Sequence, residues 1–273
     1  MEKLQKALEK ARRERKGAAA PGEPPVYTRP NTGPQPTASK MIWGMLEDFE
    51  PNPKVLVDNH ILTWTAHPDA NPFDVLRTKI YLLMKEHGWK RLAITSPDKG
   101  CGKSTLACNL AAGFTRQQEL KSLLFDFDLR RPSVARLLGM EPEHDIAKLL
   151  RGEVSALEQM KRLRANVAVS AARAPITDPT QLLLSHKTAQ LLDTLENDFA
   201  PDVMIFDLPP MLVTDDARAV LRNVDCTLIV AGAGQTRICR LDVCEREVAE
   251  LTNVVGVVLN SCRHIEPSDS YYY

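Results

Sequence analysis

Aromatic residues are scarce in this 273-residue chain, at 5%, and net charge is absent, with 35 basic against 35 acidic residues. The balance excludes an overall pull toward nucleic acid or an anionic membrane, so any such attraction has to be local. No nucleic-acid partner is expected. The six cysteines (101, 108, 226, 239, 244 and 262) form no C-x-x-C pair. That argues against a zinc site or disulfide framework and for reduced thiols within apolar elements, as in the cytosol. No apolar run of about 18 residues occurs, and the first residues are charged where a signal peptide has its apolar stretch. A cytoplasmic chain that neither crosses a membrane nor is exported is the expectation. Internal repeats are also lacking. What is present, 44% hydrophobic and 26% charged residues, suffices for one substantial core.

Residues 1–16 place Leu4, Ala7, Leu8 and Ala11 on one helical face among basic side chains. They read as a short basic amphipathic helix, received by a partner helix or an anionic membrane surface, or simply solvated. Residues 17–40 hold six prolines and read as a flexible linker. Residues 41–265 read as the globular domain and 266–273 as a tyrosine-rich tail. Within the domain, apolar runs near 91–95, 122–126, 166–170, 202–206, 226–231 and 254–259 alternate with helical patterns at 72–86, 103–117, 132–139, 145–150, 180–196, 214–222 and 237–251. Runs such as Val203-Met204-Ile205-Phe206 are apolar throughout, as in strands covered on both faces. The pattern predicts an α/β fold, a doubly wound, mostly parallel sheet with helices on both faces, with ligands at the carboxyl ends of the strands.

Between the first of these strands and the helix after it stands Ser96-Pro-Asp-Lys-Gly-Cys-Gly-Lys-Ser-Thr105. Gly100 and Gly102 let backbone N–H groups close around phosphate oxygens, and the helix offers its positive end. Lys103 can reach the β and γ phosphates and Ser104 can hold Mg²⁺. The loop is a P-loop NTPase cradle for ATP, formed by Lys99, Gly100, Cys101, Gly102, Lys103, Ser104 and Thr105, although Pro97 stands where the strict motif has glycine.

Two acidic motifs complete the set. Asp126 and Asp128, at i and i+2 after the second strand, are placed for Mg²⁺ and for taking a proton from an attacking hydroxyl. A later strand ends in Val203-Met-Ile-Phe-Asp207-Leu-Pro-Pro210, the Walker B arrangement for holding the metal through water. Ser104, Asp126 and Asp207 are therefore the candidate metal ligands, and Lys103, Asp126, Asp128 and Asp207 the candidate catalytic residues.

In this order, and with Asp126-x-Asp128-x-Arg130-x-Pro132, the trio resembles the bacterial tyrosine kinases (BY-kinases) of capsule and exopolysaccharide synthesis, of the deviant P-loop group that includes division-site and partition ATPases. The resemblance runs from about residue 68 to the end. Tyr271, Tyr272 and Tyr273, three of only five tyrosines, stand at the end of the chain. The resemblance implies that they are phosphoacceptors, modified in trans by a neighbouring subunit of a homo-oligomer. It also implies an ATP- and Mg²⁺-dependent autokinase regulating polysaccharide polymerisation and export. Its implied partners are a membrane-embedded polysaccharide co-polymerase, docking near residues 1–16 or 41–70, and a counteracting tyrosine phosphatase. The chain would then sit peripherally at the inner face of the membrane. An ATP-switched positioning scaffold without kinase activity is the alternative. Which aspartate is the base stays open; Asn260 either reaches adenine or is a turn residue. The family's ring-assembly motif, E-x-x-R-x-x-R, keeps only Arg77 here, and Lys99 is one position away from the signature lysine of the partition ATPases; it contacts phosphate or is a solvated loop charge.

Overall fold

The computed structural model describes residues 36–262. The amino-terminal helix, most of the linker and the tyrosine tail of the sequence reading lie outside the described residues. Eight strands follow in chain order: β1 (Glu47–Asp48), β2 (Arg91–Thr95), β3 (Ser122–Asp126), β4 (Lys161–Leu163), β5 (Val167–Ser170), β6 (Val203–Asp207), β7 (Cys226–Gly232) and β8 (Asn253–Asn260). They form one sheet in the order β1-β4-β5-β3-β6-β2-β7-β8, parallel at every junction except β4 with β5. The helices are α1 (Pro36–Met45), α2 (Pro53–Asp58), α3 (Asn71–His87), α4 (Lys103–Phe114), α5 (Val134–Leu138), α6 (Ile146–Arg151), α7 (Ala156–Gln159), α8 (Thr180–Leu183), α9 (His186–Phe199), α10 (Asp216–Leu221) and α11 (Ile238–Ala249).

Every residue of β2, β3, β5, β6 and β7 is buried, which requires cover on both faces. Because side chains alternate along a strand, Phe125 and Phe206 join one core while Leu124 and Ile205 join the other. Phe125 and Phe206 stack with centroids 5.1 Å apart, fixing neighbouring strands in register so that Asp126 pairs with Asp207 at their ends.

Several elements depart from the sequence expectation. The stretch read as linker to residue 40 turns helical at Pro36. Ser39 and Trp43 on that helix donate to the Phe199 carbonyl at 3.0 and 2.8 Å, satisfying the end of α9. The helix read over 180–196 is two, because Ser185 adopts an extended conformation and caps α9 through the Thr188 N–H. Strands β1 and β4 carry no apolar run: Arg162 bonds Asp48 at 2.7 Å and Lys161 pairs with Glu47, so their pairing is charged rather than hydrophobic. Helix α4 also stops at Phe114, short of 117. Among the described residues no helix is long and apolar enough to cross a membrane.

Candidate active site

The loop after β2 enters α4 through Gly100 and Gly102, both with positive φ (79° and 84°). A Cβ on Gly102 would lie 2.2 Å from Asn260 Nδ2, so the position combines a glycine-only conformation with a close approach. Asn260 donates to the Cys101 carbonyl at 3.0 Å, Gln235 donates to the Lys99 carbonyl at 2.9 Å, and Arg240 Nε donates to both oxygens of Asp98 at 2.8 and 3.0 Å. The ends of β7 and β8 and the start of α11 thus hold the loop from outside. Only tertiary structure brings them there, since these partners are more than 130 residues away in sequence.

Loop and helix border a cavity of about 400 Å³. Lys99, Gly100, Gly102, Lys103, Ser104 and Thr105 line it on one side, Asp128 and Arg130 on another, and Pro209 and Pro210 on a third. Lys99 is exposed at the rim. Cys101 does not line the cavity; its thiol is buried against the Asp98 carbonyl and the Thr236 hydroxyl, so only its backbone faces the loop interior. Asn260 ties the loop rather than lining the cavity.

Charge in this cleft is unbalanced. The Lys103 ammonium lies 2.7 Å from Asp128 Oδ2, 3.8 Å from Asp207 Oδ1 and 3.3 Å from Ser104 Oγ. Burial works against its charge, but the Asp207 and Asp128 carboxylates outweigh burial and raise its pKa. Asp207 is fully buried and neither of its oxygens makes a hydrogen bond. Burial pushes it up to about 6, opposed by the Lys103 charge and by the Ser104 hydroxyl, which lies close without a well-aligned hydrogen bond. Asp126 Oδ2 accepts from the Ser133 and Val134 N–H groups, both at 3.0 Å, while Oδ1 is buried without a partner. Burial, then the neighbouring Asp207, raise the Asp126 pKa well above the usual carboxylate range. Of the two motif aspartates, Asp128 lines the cavity and Asp126 does not.

Three carboxylates around one ammonium, with three orphaned oxygens, form a cation-deficient set of hard donors, which fits Mg²⁺. Among the described residues there is no group of three or more His, Cys, Asp or Glu side chains able to cage a metal alone. A phosphate-bound Mg²⁺ needs none, because it keeps waters and takes phosphate oxygens. Ser104, on the cavity lining, would hold it directly and Asp207, buried behind the lining beside Asp126, through water, and the ion would supply charge neutralisation on the phosphates.

A family model described as ParA, NUBPL iron-transfer P-loop NTPase, matches residues 89–271. The chain belongs to the ParA family of P-loop NTPases. Within that family it is similar to the tyrosine-protein kinase YwqD of Bacillus subtilis (strain 168), 29% identical over 209 residues, which cover 75% of this chain and 86% of YwqD. It is equally identical over 188 residues to the tyrosine-protein kinase Etk of Escherichia coli (strain K12), and there the match covers 68% of this chain but 25% of Etk. The chain therefore spans about a quarter of the length of that relative. The solved kinase domain of Escherichia coli ETK superposes with a TM-score of 0.64 at 27% identity, over 71% of this chain and 76% of that domain. The fold class and the likeness to BY-kinases read from the motifs both hold.

Motif reading brought Lys103, Ser104, Asp126, Asp128 and Asp207 together, and the structure does the same. Tyr271, Tyr272 and Tyr273 lie outside the described residues. Arg77, the remnant of the ring motif, is buried against Asp74 and the Phe114 ring. Arg130, read from the sequence only as a motif residue and given no role, donates from Nε to Asp216 at 2.5 Å and from Nη1 to the Thr177 carbonyl at 3.0 Å, bracing the cavity wall. Its place in the D-x-D-x-R motif was the available signal. For Gln235 and Arg240 the sequence carries none.

Proposed function

We propose that this ParA-family chain is an ATP- and Mg²⁺-dependent protein-tyrosine kinase whose acceptors are Tyr271, Tyr272 and Tyr273. The observation that carries the reading is the Lys103–Asp128 pair at 2.7 Å at the mouth of the phosphate loop. Lys103 has one ammonium to give. When it moves to a phosphate oxygen, Asp128 Oδ2 loses its partner and becomes a free acceptor at the cavity wall. The phenol then has a base beside it only when nucleotide is in place. In the transfer, the phenolic oxygen bonds to the γ phosphorus, the bond from that phosphorus to the bridging oxygen breaks, ADP leaves with the electron pair, and Asp128 accepts the phenolic proton. A phenol has a pKa of about 10, so proton acceptance helps chiefly as the new bond forms. Asp126, tied to the backbone at 133 and 134, orients the strand end rather than meeting the phenol.

The names of the relatives support tyrosine-kinase activity, and the motif resemblance extends the reading further. The kinase phosphorylates in trans within a homo-oligomer, regulates polysaccharide polymerisation and export, and works beside a membrane-embedded co-polymerase and against a tyrosine phosphatase. It acts peripherally at the inner face of the membrane through that partner.

Incubation of the full chain with γ-labelled ATP and Mg²⁺ tests this. Label on the three terminal tyrosines, absent in Lys103→Met and in a chain ending at Ser270, is the expected result. Phosphate release with no labelled protein would instead favour the nucleotide-switched scaffold that membership of the ParA family also allows.

A further inference from the structure

A second cavity, of about 730 Å³, lies against the first and shares Arg130, Arg131, Ser133 and Arg136 with it. Arg173 and Glu141 complete its charged lining. The arginines are not equivalent. Arg130 is neutralised by Asp216, with Nε at 2.5 Å and Nη2 at 3.2 Å. Arg131, Arg136 and Arg173 are exposed and have no carboxylate partner among the described residues. Arg136 reaches only the Asn59 side-chain oxygen at 3.4 Å, and Arg173 only the Glu143 carbonyl at 3.1 Å. Here three converge on one groove against a single glutamate, an excess of two positive charges beside the end of the phosphate loop.

We infer that this groove binds a phosphotyrosine next to the acceptor tyrosine, so that phosphorylation of the terminal cluster is primed by its own first product. This rests on the kinase reading above. A phosphotyrosine carries about −1.5 to −2 charge and three acceptor oxygens, which matches the groove's net excess of two positive charges; an aspartate or glutamate would match one. The contiguity of Tyr271, Tyr272 and Tyr273 supplies the ligand. Neighbouring Cα atoms are about 3.8 Å apart, so a phosphorylated residue in the groove leaves its neighbour within reach of the adjoining cavity. The first transfer is then slow and the following ones faster.

The test uses the full chain with ADP and Mg²⁺ and two labelled peptides of sequence 266–273, one unmodified and one phosphorylated on Tyr273, read by fluorescence anisotropy. The phosphorylated peptide binds at least about ten-fold more tightly, and Arg173→Gln removes most of that difference while leaving ADP affinity unchanged, which also reports an intact fold. Arg173→Lys, which keeps the charge without the fork, restores part of it. Equal affinity for the two peptides overturns the inference, as does displacement of the phosphopeptide by an equal concentration of inorganic phosphate, which would mark a general anion site. The labelling assay separates the two readings. A chain that labels its tyrosines but binds both peptides alike keeps kinase activity and loses priming. One that prefers the phosphopeptide yet takes no label keeps the groove and loses the kinase.

Discussion

Strand β2 buries charge near both of its ends, in opposite ways. At its start, Arg91 is 1% exposed and fully engaged: Glu196 accepts from Nε at 2.7 Å, Asp193 from Nη2 at 2.7 Å and the Asn223 carbonyl from Nη1 at 3.2 Å. Asp225 accepts from the backbone of Lys90 and Arg91 beside it. Just past its end, the phosphate loop places Lys103 among Asp126, Asp128 and Asp207, and three carboxylate oxygens stay without a hydrogen bond. Both ends bury ions in the same sheet, so burial alone does not distinguish scaffold from site. The distinction is partner supply. A buried charge whose hydrogen bonds are complete is tolerated by the fold and costly to break, and one left incomplete stores a cost that a ligand relieves.

Several substitutions test that contrast, and the largest effect belongs to the incomplete end. Lys103→Met should lower phosphoryl transfer by about 10³-fold or more, since it removes the buried ammonium of the phosphate loop. Retention of activity within ten-fold in a γ-label assay would erase the difference between the two ends. Arg91→Met should do the reverse, costing about 3 kcal/mol in urea denaturation, because it strips the partners of a complete network. Nucleotide affinity of the surviving folded protein should stay near that of the parent. A loss of nucleotide binding at unchanged stability would contradict the scaffold role.

Asp207→Asn sharpens the comparison, because here loss of a charge should stabilise. The nucleotide-free chain should gain about 1–3 kcal/mol, as a fully buried carboxylate without hydrogen bonds disappears, while the thermal shift produced by Mg²⁺ and ADP should shrink or vanish. The same group fixes a pH dependence. Its ordinary value of 3.8 in the unfolded chain rises to about 6 in the fold, so the folded state binds more protons between those values. The corresponding stability is fully present below 3.8 and is lost as pH rises through about 6. Melting temperatures of the parent at pH 7 and pH 5, each compared with Asp207→Asn, isolate this contribution: the advantage of the variant should be smaller at pH 5. The smallest effect is expected at Arg240→Ala. Its ion pair with Asp98 is 42% and 28% exposed on the two sides, so stability should change by less than about 1 kcal/mol. A few-fold loss of ADP affinity, read by titration, would show that the outer brace matters to the loop.

Much of this was legible in the chain. Six of the eight strands announce themselves as apolar runs, since a strand covered on both faces has little room for polar residues. Strands β1 and β4 do not, because short edge pairing here is carried by Lys161 and Arg162 with Glu47 and Asp48. Helix α1 begins inside a proline-rich stretch, where composition argues for a linker and only the docking of Trp43 on Phe199 argues for a helix. The break at Leu184 likewise needed the Ser185 cap, a local alternative to continuing one helix.

The site divides in the same manner. Sequence by itself determined the kinds of group present, a glycine-bearing loop with Lys103 and Ser104 and three aspartates at or just past the ends of apolar strands, because those chemistries depend on short spacings along the chain. Tertiary structure alone decided which aspartate meets the cavity and which is sealed behind it, how Asn260, Gln235 and Arg240 hold the loop, and that Arg131, Arg136 and Arg173 converge without acidic partners. These are relations between segments far apart in the chain, and their energies come from desolvation and pairing that exist only once the sheet has closed the distance.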